Sequence, residues 1–493
     1  MMRPRRYLTV SVPLIIGILA IAARLVAINA PFIDAWSWRQ SDVATIARNF
    51  AEHGFHFAYP QINWAGNEPG YVGTEFPILP FLAALAYRAL GEQEWVGRVQ
   101  AVIFFALSLP FFFQLTRDLF DREIATWALF FYSFAPICIM ASRCFMPDIP
   151  SLSLSLVALA LFLQWSQSER LGVLFASAVA CSLAILFKAP TALIGAPLTV
   201  LAWQRFGARA FCRWDLWVYG AIALLPSLGW YGHAWHIAQQ FYPYHFFGAG
   251  GFQIKSFDWY LEIAGVTIWL SLAPALFLFA LVGIFSASRY RPGLLVFGSW
   301  AVVMALFIFV AGWGNRHPWY QLPLVPIAAS FAGVCCERWR RVVGSSRTRS
   351  LAFTAAVVLL ATAATIPGLE HFYRPAAVEL RQAGLALKEL TPPGALVVAA
   401  DYGDPTVFYY ARRKGWNFME KDAIYAGHPL DGAEAVADLK SLQAKGATSF
   451  VLYSGTFWWL KYYPEFSDYL TSHAELKANT PAYRIYELHA ERQ

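Results

Sequence analysis

Charge is scarce in this chain. Only 14% of its 493 residues are Asp, Glu, Lys or Arg, against 58% hydrophobic ones, and mean hydropathy is +0.45. That excludes an ordinary water-soluble protein, in which charged residues make up about a quarter of the chain. Cysteine is scarce too. Cys138, Cys144, Cys181, Cys212, Cys335 and Cys336 show no metal-type spacing, and most fall inside apolar runs or on the side read below as cytoplasmic, so no disulfide framework is implied. There is no internal repeat and no low-complexity linker. The net charge of +7 does not point to nucleic acid, because the basic residues cluster between apolar runs, as membrane topology requires.

What is abundant is apolar sequence in runs of bilayer length. A crossing helix needs roughly 20 mostly apolar residues. The candidates are 10–28, 98–116, 123–142, 150–165, 171–187, 189–204, 216–234, 262–286, 293–311, 319–336 and 351–367. The expected fold is therefore mainly α: a polytopic membrane protein of about eleven transmembrane helices, numbered by those runs. Met1–Arg6 ahead of the first run is read as an uncleaved signal anchor, because no small-residue cleavage site follows. The run Phe76–Leu90 is short and interrupted by Pro77, Pro80 and Arg88. If it does not cross and the amino terminus is cytoplasmic, the internal loops collect Arg3, Arg5, Arg6, Arg117, Arg122, Arg170, Arg205, Arg209, Arg213, Arg289 and Arg291. Arg338, Arg340, Arg341, Arg347 and Arg349 then join them on that side, as the positive-inside rule demands. Residues 76–90 are accordingly expected to lie as an interfacial helix in the first external loop, 29–97.

This topology puts outside the first loop, the turn Ser142–Pro150, the turn at Lys188, residues 235–261, Trp313–Gln321 and everything after about residue 370. Two domains are expected: 1–370 in the membrane and 371–493 as a small extracytoplasmic α/β domain. In the latter, Ala395–Ala400 and Thr448–Tyr453 read as strands, and Thr406–Arg413 and Ala433–Ala444 as helices.

The polar residues on the outer side are unusual for a protein that only spans a bilayer. The first is Asp34, between Ile33 and Ala35, followed by Trp36, Trp38, Arg39, Gln40 and Asp42. With Ser41 as a possible N-cap, Asp42 would sit in the first turn of a helix, where an acid is favoured by the dipole alone. Asp34 has no such role, and a carboxylate partly desolvated above a bilayer can act as a general base. Asp148, between Pro147 and Pro150, is expected in a fixed extended turn, either salt-bridged to Arg143 or functional. Lys188 ends a long apolar run, which fits either snorkelling to headgroups or a lipid phosphate. Arg316, His317 and Tyr320 sit in Asn315–Pro323, where interfacial aromatic belts are common and the cations add a second phosphate-binding candidate. Asp401–Pro405 reads as an ordinary turn after a strand.

The stretch Ala-Trp-Ser-Trp-Arg-Gln-Ser-Asp-Val-Ala-Thr-Ile-Ala-Arg-Asn-Phe (35–50) resembles the first-loop motif of bacterial GT-C superfamily glycosyltransferases, the clan of dolichyl-phosphate-mannose protein mannosyltransferases and aminoarabinose transferases. Thr74–Pro77, Gly91–Arg98, Ser142-Arg143, Met146–Asp148, Phe187-Lys188, His317–Tyr320 and Leu322-Pro323 extend the resemblance over roughly residues 8–335. It implies inverting transfer of a sugar from a polyprenyl-phosphate donor to a hydroxyl of a lipid, glycan or protein acceptor. Transfer would occur at the outer face of a bacterial inner membrane, with lipids as neighbours. By resemblance the first-loop acid is the base, here Asp34 or Asp42. The family's usual adjacent Asp-Glu pair is missing, its place taken by Arg39 and Gln40. Asp148 corresponds to the second-loop acid, Lys188 to the phosphate-contacting lysine, and His317 and Tyr320 to the donor-binding loop, with Trp38, Glu75 and Arg143 in support. Some relatives bind a divalent metal and others do not. Asp34 and Asp148 would be its ligands here.

A transporter or flippase of a lipid-linked sugar is the alternative. Such proteins place charges near the bilayer midplane on broken helices and often contain repeats, whereas here the charges gather at one interface.

Overall fold

In the computed structural model, which describes residues 11–247, 251–344, 346–421 and 424–489, a helix covers each of the eleven apolar runs. Met1–Arg6, and with it Arg3, Arg5 and Arg6, lies outside the described residues. Among those described, four helices are long and apolar enough to cross a bilayer: Glu94–Leu119, Asp148–Ser168, Arg291–Val310 and the one beginning at Arg347. The other runs give shorter or less apolar helices, for which local sequence supplies reasons. Pro136 lacks the N–H that would continue a helix, so 123–142 divides into Arg122–Phe134 and Pro136–Ala141. The run 262–286 bends by 102° where Ala273, at φ 67°, interrupts it. Residues 76–90 form the helix Ile78–Leu90, whose 13 residues give a length of about 20 Å, short of a hydrocarbon core.

The compact units do not follow chain order. One comprises residues 1–28, 98–228 and 248–372 and is helical. The other joins the first loop, 29–97, to 229–247 and to the tail, 373–493. A single cut at residue 370 misses this union, because the loop and the tail share one core.

That core forms around strands β1 (Leu396–Ala400), β2 (Lys414–Asn417), β3 (Glu420–Lys421), β4 (Ile424–Tyr425), β5 (Ala447–Tyr453), β6 (Ala474–Asn479) and β7 (Tyr483–Leu488). Five of them make a sheet ordered β2-β1-β5-β7-β6, parallel from β2 to β5 and antiparallel beyond. β3 and β4 pair separately. The apolar run of β1 does not alternate with polar residues because both of its faces are covered. Val398 and Ala400 pack with Leu439, Phe450 and Phe466 on one side. Val397 and Ala399 pack on the other with Leu380 and Leu387, and also with Ile46, Phe50, Ile62 and Val72 of the first loop. The loop finishes the open edge of the sheet as well: Gly66 N–H donates to Gly415 O (2.7 Å) and Gly415 N–H to Asn63 O (3.0 Å). Gly66 has φ 59° and meets the Trp416 ring so closely that a Cβ would clash.

Candidate functional site

The first-loop helix, Ser37–His53, is buried over most of its length and begins four residues before the expected cap at Ser41. What starts it is Asp34. Its Oδ1 accepts from Trp36 N–H (3.1 Å) and from Gln40 Nε2 (2.8 Å), so the carboxylate is held at the mouth of the helix at 5% exposure. Trp38 lies half-buried on the first turn. Arg39 donates through Nη2 to both oxygens of Glu75 (2.7 and 2.6 Å), while its guanidinium lies over the Phe247 ring. Glu75 also accepts from Thr74 Oγ1 (2.8 Å). Burial alone would raise the Glu75 carboxyl, but the Arg39 charge and these bonds outweigh it and hold it below the usual range.

Asp42, one turn further along, has a different setting. It is fully buried and accepts from Trp64 Nε1 (3.0 Å). Burial pushes its carboxyl up to about 7, with Asp404 and Glu75 adding to the rise and the Trp64 bond and Arg39 opposing it. His245 packs edge-on to Trp64 and Phe247, and burial together with Arg39 drives its imidazole down to about 4, so it is neutral at physiological pH. The tail supplies two more acids to this unit. Asp404 Oδ2 accepts from Ser37 Oγ (3.2 Å), and Asp401 is buried one turn away. Burial raises both carboxyls. Asp401–Pro405 is therefore more than an ordinary turn.

The helical unit carries the other candidates. Asp148 is not in an extended turn: it is the first residue of the helix Asp148–Ser168, with Pro147 before it and Pro150 within the first turn, where proline is tolerated. It forms a salt bridge with Lys188, forty residues on, at the end of the neighbouring helix Leu171–Phe187. Lys188 Nζ also lies 4.0 Å from the centre of the Tyr320 ring. Both charges are nearly buried, and Lys188 is thus not a lone snorkelling cation. Ser151, Thr191, Trp300 and Trp319 line the small cavity beside them, which admits water-sized groups over about 30 Å³.

Arg143 donates to Ala27 O (2.8 Å), the same carbonyl that Arg98 reaches (3.2 Å), and Arg24 bonds Ser142 Oγ and Ser133 O. Arg24 and Arg143 tie the end of the first apolar helix to the chain leading to Asp148, and Arg98 ties it to the helix Glu94–Leu119. Further along, His317 stacks flat on Trp319 (4.4 Å, 4°), and Arg316 lies over Trp313 on the surface. Arg316 and His317 are therefore engaged with aromatic rings.

A divalent metal finds poor ligands in either place. Asp34 Oδ1 already takes two N–H donors and Asp148 faces an ammonium. Among the described residues no three His, Cys, Asp or Glu side chains are grouped to hold an ion.

Residue choice from sequence missed Ser37, Trp64, His245, Asp401 and Asp404. Only the Asp401–Asp404 pair carried a local signal, two acids flanking a Tyr-Gly turn.

Comparison with known proteins agrees with this architecture. Residues 72–231 match the dolichyl-phosphate-mannose-protein mannosyltransferase family. ArnT from Cupriavidus metallidurans bound to undecaprenyl phosphate superposes with a TM-score of 0.65 at 16% identity, over 96% of this chain and 97% of that one. The Archaeoglobus fulgidus oligosaccharyltransferase tethered to an acceptor peptide gives 0.63 at 13% identity, over 99% of this chain and 74% of that one. The AglB complex from the same organism, with an inhibitory peptide and a dolichol-phosphate, gives 0.57 at 13% identity, over 98% and 75%. At these identities the likeness is one of fold. No curated protein sequence matches the chain.

Proposed function

We propose that this chain, which matches the mannosyltransferase family over residues 72–231 and shares the fold of ArnT, is a GT-C glycosyltransferase that moves a sugar from a polyprenyl-phosphate donor to an acceptor hydroxyl with inversion at the anomeric carbon. The observation that carries this reading is the Lys188 ammonium, held between the Asp148 carboxylate and the Tyr320 ring beside a cavity. An ammonium has three N–H donors, and Asp148 fixes its direction while the ring accepts its charge. That is a suitable receptor for a phosphate oxygen of the donor. The polyprenol of ArnT's bound ligand and the dolichol-phosphate in the AglB complex support the donor class.

Asp34 is assigned as the base. The acceptor oxygen attacks the anomeric carbon while its proton passes to the Asp34 carboxylate. The bond from that carbon to the phosphate oxygen breaks, and its electron pair leaves with the polyprenyl phosphate. Gln40 and the Trp36 N–H hold Asp34 in one orientation. Asp42 suits the role less well, because burial keeps it largely protonated up to about pH 7. A single displacement needs one base and no covalent carboxylate intermediate, unlike retaining glycoside hydrolysis. We place the reaction at the outer face of a bacterial inner membrane, with the first loop and tail extracytoplasmic.

The test is reconstitution in lipid with polyprenyl-phosphate sugars, following sugar release from the donor and the configuration of the product. Inverted product made by wild type and lost in Asp34→Asn supports the assignment. Wild-type turnover in Asp34→Asn, Asp42→Asn and Asp148→Asn alike would sink it.

A further inference from the structure

We propose that the tail segment Asp401–Thr406 is a clamp on the first-loop helix and that Asp404 is its positioning residue, fixing the first turn on which Asp34 and Asp42 depend. The activity readout of this proposal rests on the transferase reading above; the clamp itself rests on geometry within one compact unit.

Two hydrogen bonds make the clamp. Asp404 Oδ2 accepts from Ser37 Oγ (3.2 Å), and Thr406 Oγ1 pairs with Ser41 Oγ (3.2 Å). Ser37 and Ser41 are four residues apart on the helix, so they share a face, and the tail grips that face over one full turn. All four side chains are buried or nearly so, which keeps water from substituting for either bond. Asp34 accepts from Gln40 and from the Trp36 N–H at the same end of the helix, so a shift of this turn moves the proposed base with it.

The tail side is rigid in its own right. Asp404 Oδ1 accepts from Thr406 N–H (3.0 Å), and Asp401 Oδ1 from Gly403 N–H (3.0 Å), closing two successive side-chain turns. Tyr402 stands between them at φ 58°, a conformation that a bulky residue adopts only when its surroundings impose it. Here the Tyr402 hydroxyl donates to Gly455 O (2.8 Å) and accepts from Trp458 Nε1 (2.9 Å), locking the turn to the end of β5. Three residues past Thr406, the helix Thr406–Ala411 continues the grip, since Arg48 Nη1 donates to Tyr409 O (2.7 Å). A turn stabilised this heavily on the tail side, with the second carboxylate oxygen of Asp404 given to Ser37, is built to hold something still.

The experiment uses the full-length protein in lipid and compares Asp404→Ala, Ser37→Ala, their double variant and Asp404→Asn. Two readouts are taken: donor KM and kcat for transfer, and hydrogen–deuterium exchange of peptides covering 37–53. Asp404→Ala is expected to lower kcat about tenfold or more with donor KM within about twofold, the signature of a misplaced rather than absent group. The double variant should lose no more than the worse single one, because both remove the same bond. Asn, which keeps a carbonyl for Thr406 N–H and an amide for Ser37 Oγ, should recover kcat to within about threefold of wild type. Exchange in the first turn should quicken in both Ala variants and not in Asn. If Asp404→Ala does not fold, Ser37→Ala carries the same test from the other side of the bond. Wild-type exchange in folded Ala variants, or additive losses in the double variant, overturns the clamp. Quickened exchange in a protein that transfers no sugar upholds the clamp and overturns the transferase reading instead.

Discussion

The two compact units treat their acids in opposite ways. In the helical unit Asp148 is buried against Lys188, a cation that leaves the pair neutral at short range. In the loop-and-tail unit Asp42 is buried with an indole N–H and further carboxyls, and burial lifts its carboxyl to about 7. Arg39, the nearest cation on that helix, is committed to Glu75. The first arrangement sets an acid against a cation. The second sets an acid among other acids, where burial raises its carboxyl. Burial by itself therefore does not define a role; the partner does.

If that division holds, substitutions in the loop-and-tail unit should act on kcat and those in the helical unit on donor affinity. The largest effect is expected for Asp34→Asn, a loss of about 10²–10⁴ in kcat at unchanged donor KM, measured by steady-state transfer. A raised donor KM with intact kcat would break the comparison outright. Next comes Lys188→Ala, expected to raise donor KM by about tenfold or more and to destabilise the protein by about 3–5 kcal/mol by stranding Asp148. Replacing both, Lys188→Met with Asp148→Leu, should recover most of the stability in thermal unfolding and none of the donor affinity.

Asp42→Asn sharpens the comparison through pH. The folded carboxyl titrates near 7 and the unfolded one near 3.8, so wild type loses stability as pH rises between those values and no further above them. Asn has no such loss. The variant's advantage should grow from about pH 4, level off above about pH 7, and reach at most about 4 kcal/mol there. An advantage that ignores pH would place Asp42 in a less buried setting than the one described. The smallest effect is expected for Arg316→Ala, which leaves a ring-stacked surface cation's place empty: donor KM should change by less than about threefold.

Local chemistry made much of this fold legible. Runs of apolar residues gave the helices, and Ala395–Ala400 and Thr448–Tyr453 gave β1 and β5 within one residue. β6 was illegible for a physical reason. It is an edge strand, mostly exposed, whose alternation of Ala474, Leu476 and Ala478 with Glu475, Lys477 and Asn479 contains one large apolar side chain and no β-branched or aromatic residue. In the candidate site, Asp34 and Arg39 were visible through the first loop and Glu75 through the stretch Thr74–Pro77, whereas the pairing of Asp148 with Lys188 was not. Lys188 lies forty residues from Asp148 in sequence, and it is the packing of Asp148–Ser168 against Leu171–Phe187 that brings the two together. Asp404 failed in the same way: a turn's sequence does not say which helix will lean on it.

One consequence follows from the sharing of a core between the first loop and the tail. About 275 residues separate Gly97 from Tyr373, and at ribosomal rates of about 5–20 residues per second the loop emerges some tens of seconds before its core partners exist. Throughout that interval Ile46, Phe50, Ile62 and Val72 lack the sheet face they finally cover. Newborn chains should therefore pass through a stage in which the apolar helices have been made while the first loop is still without its core, and a stop codon anywhere before the sheet should leave that loop exposed to proteolysis. Translation of the last quarter of the message sets when the first loop can finish folding.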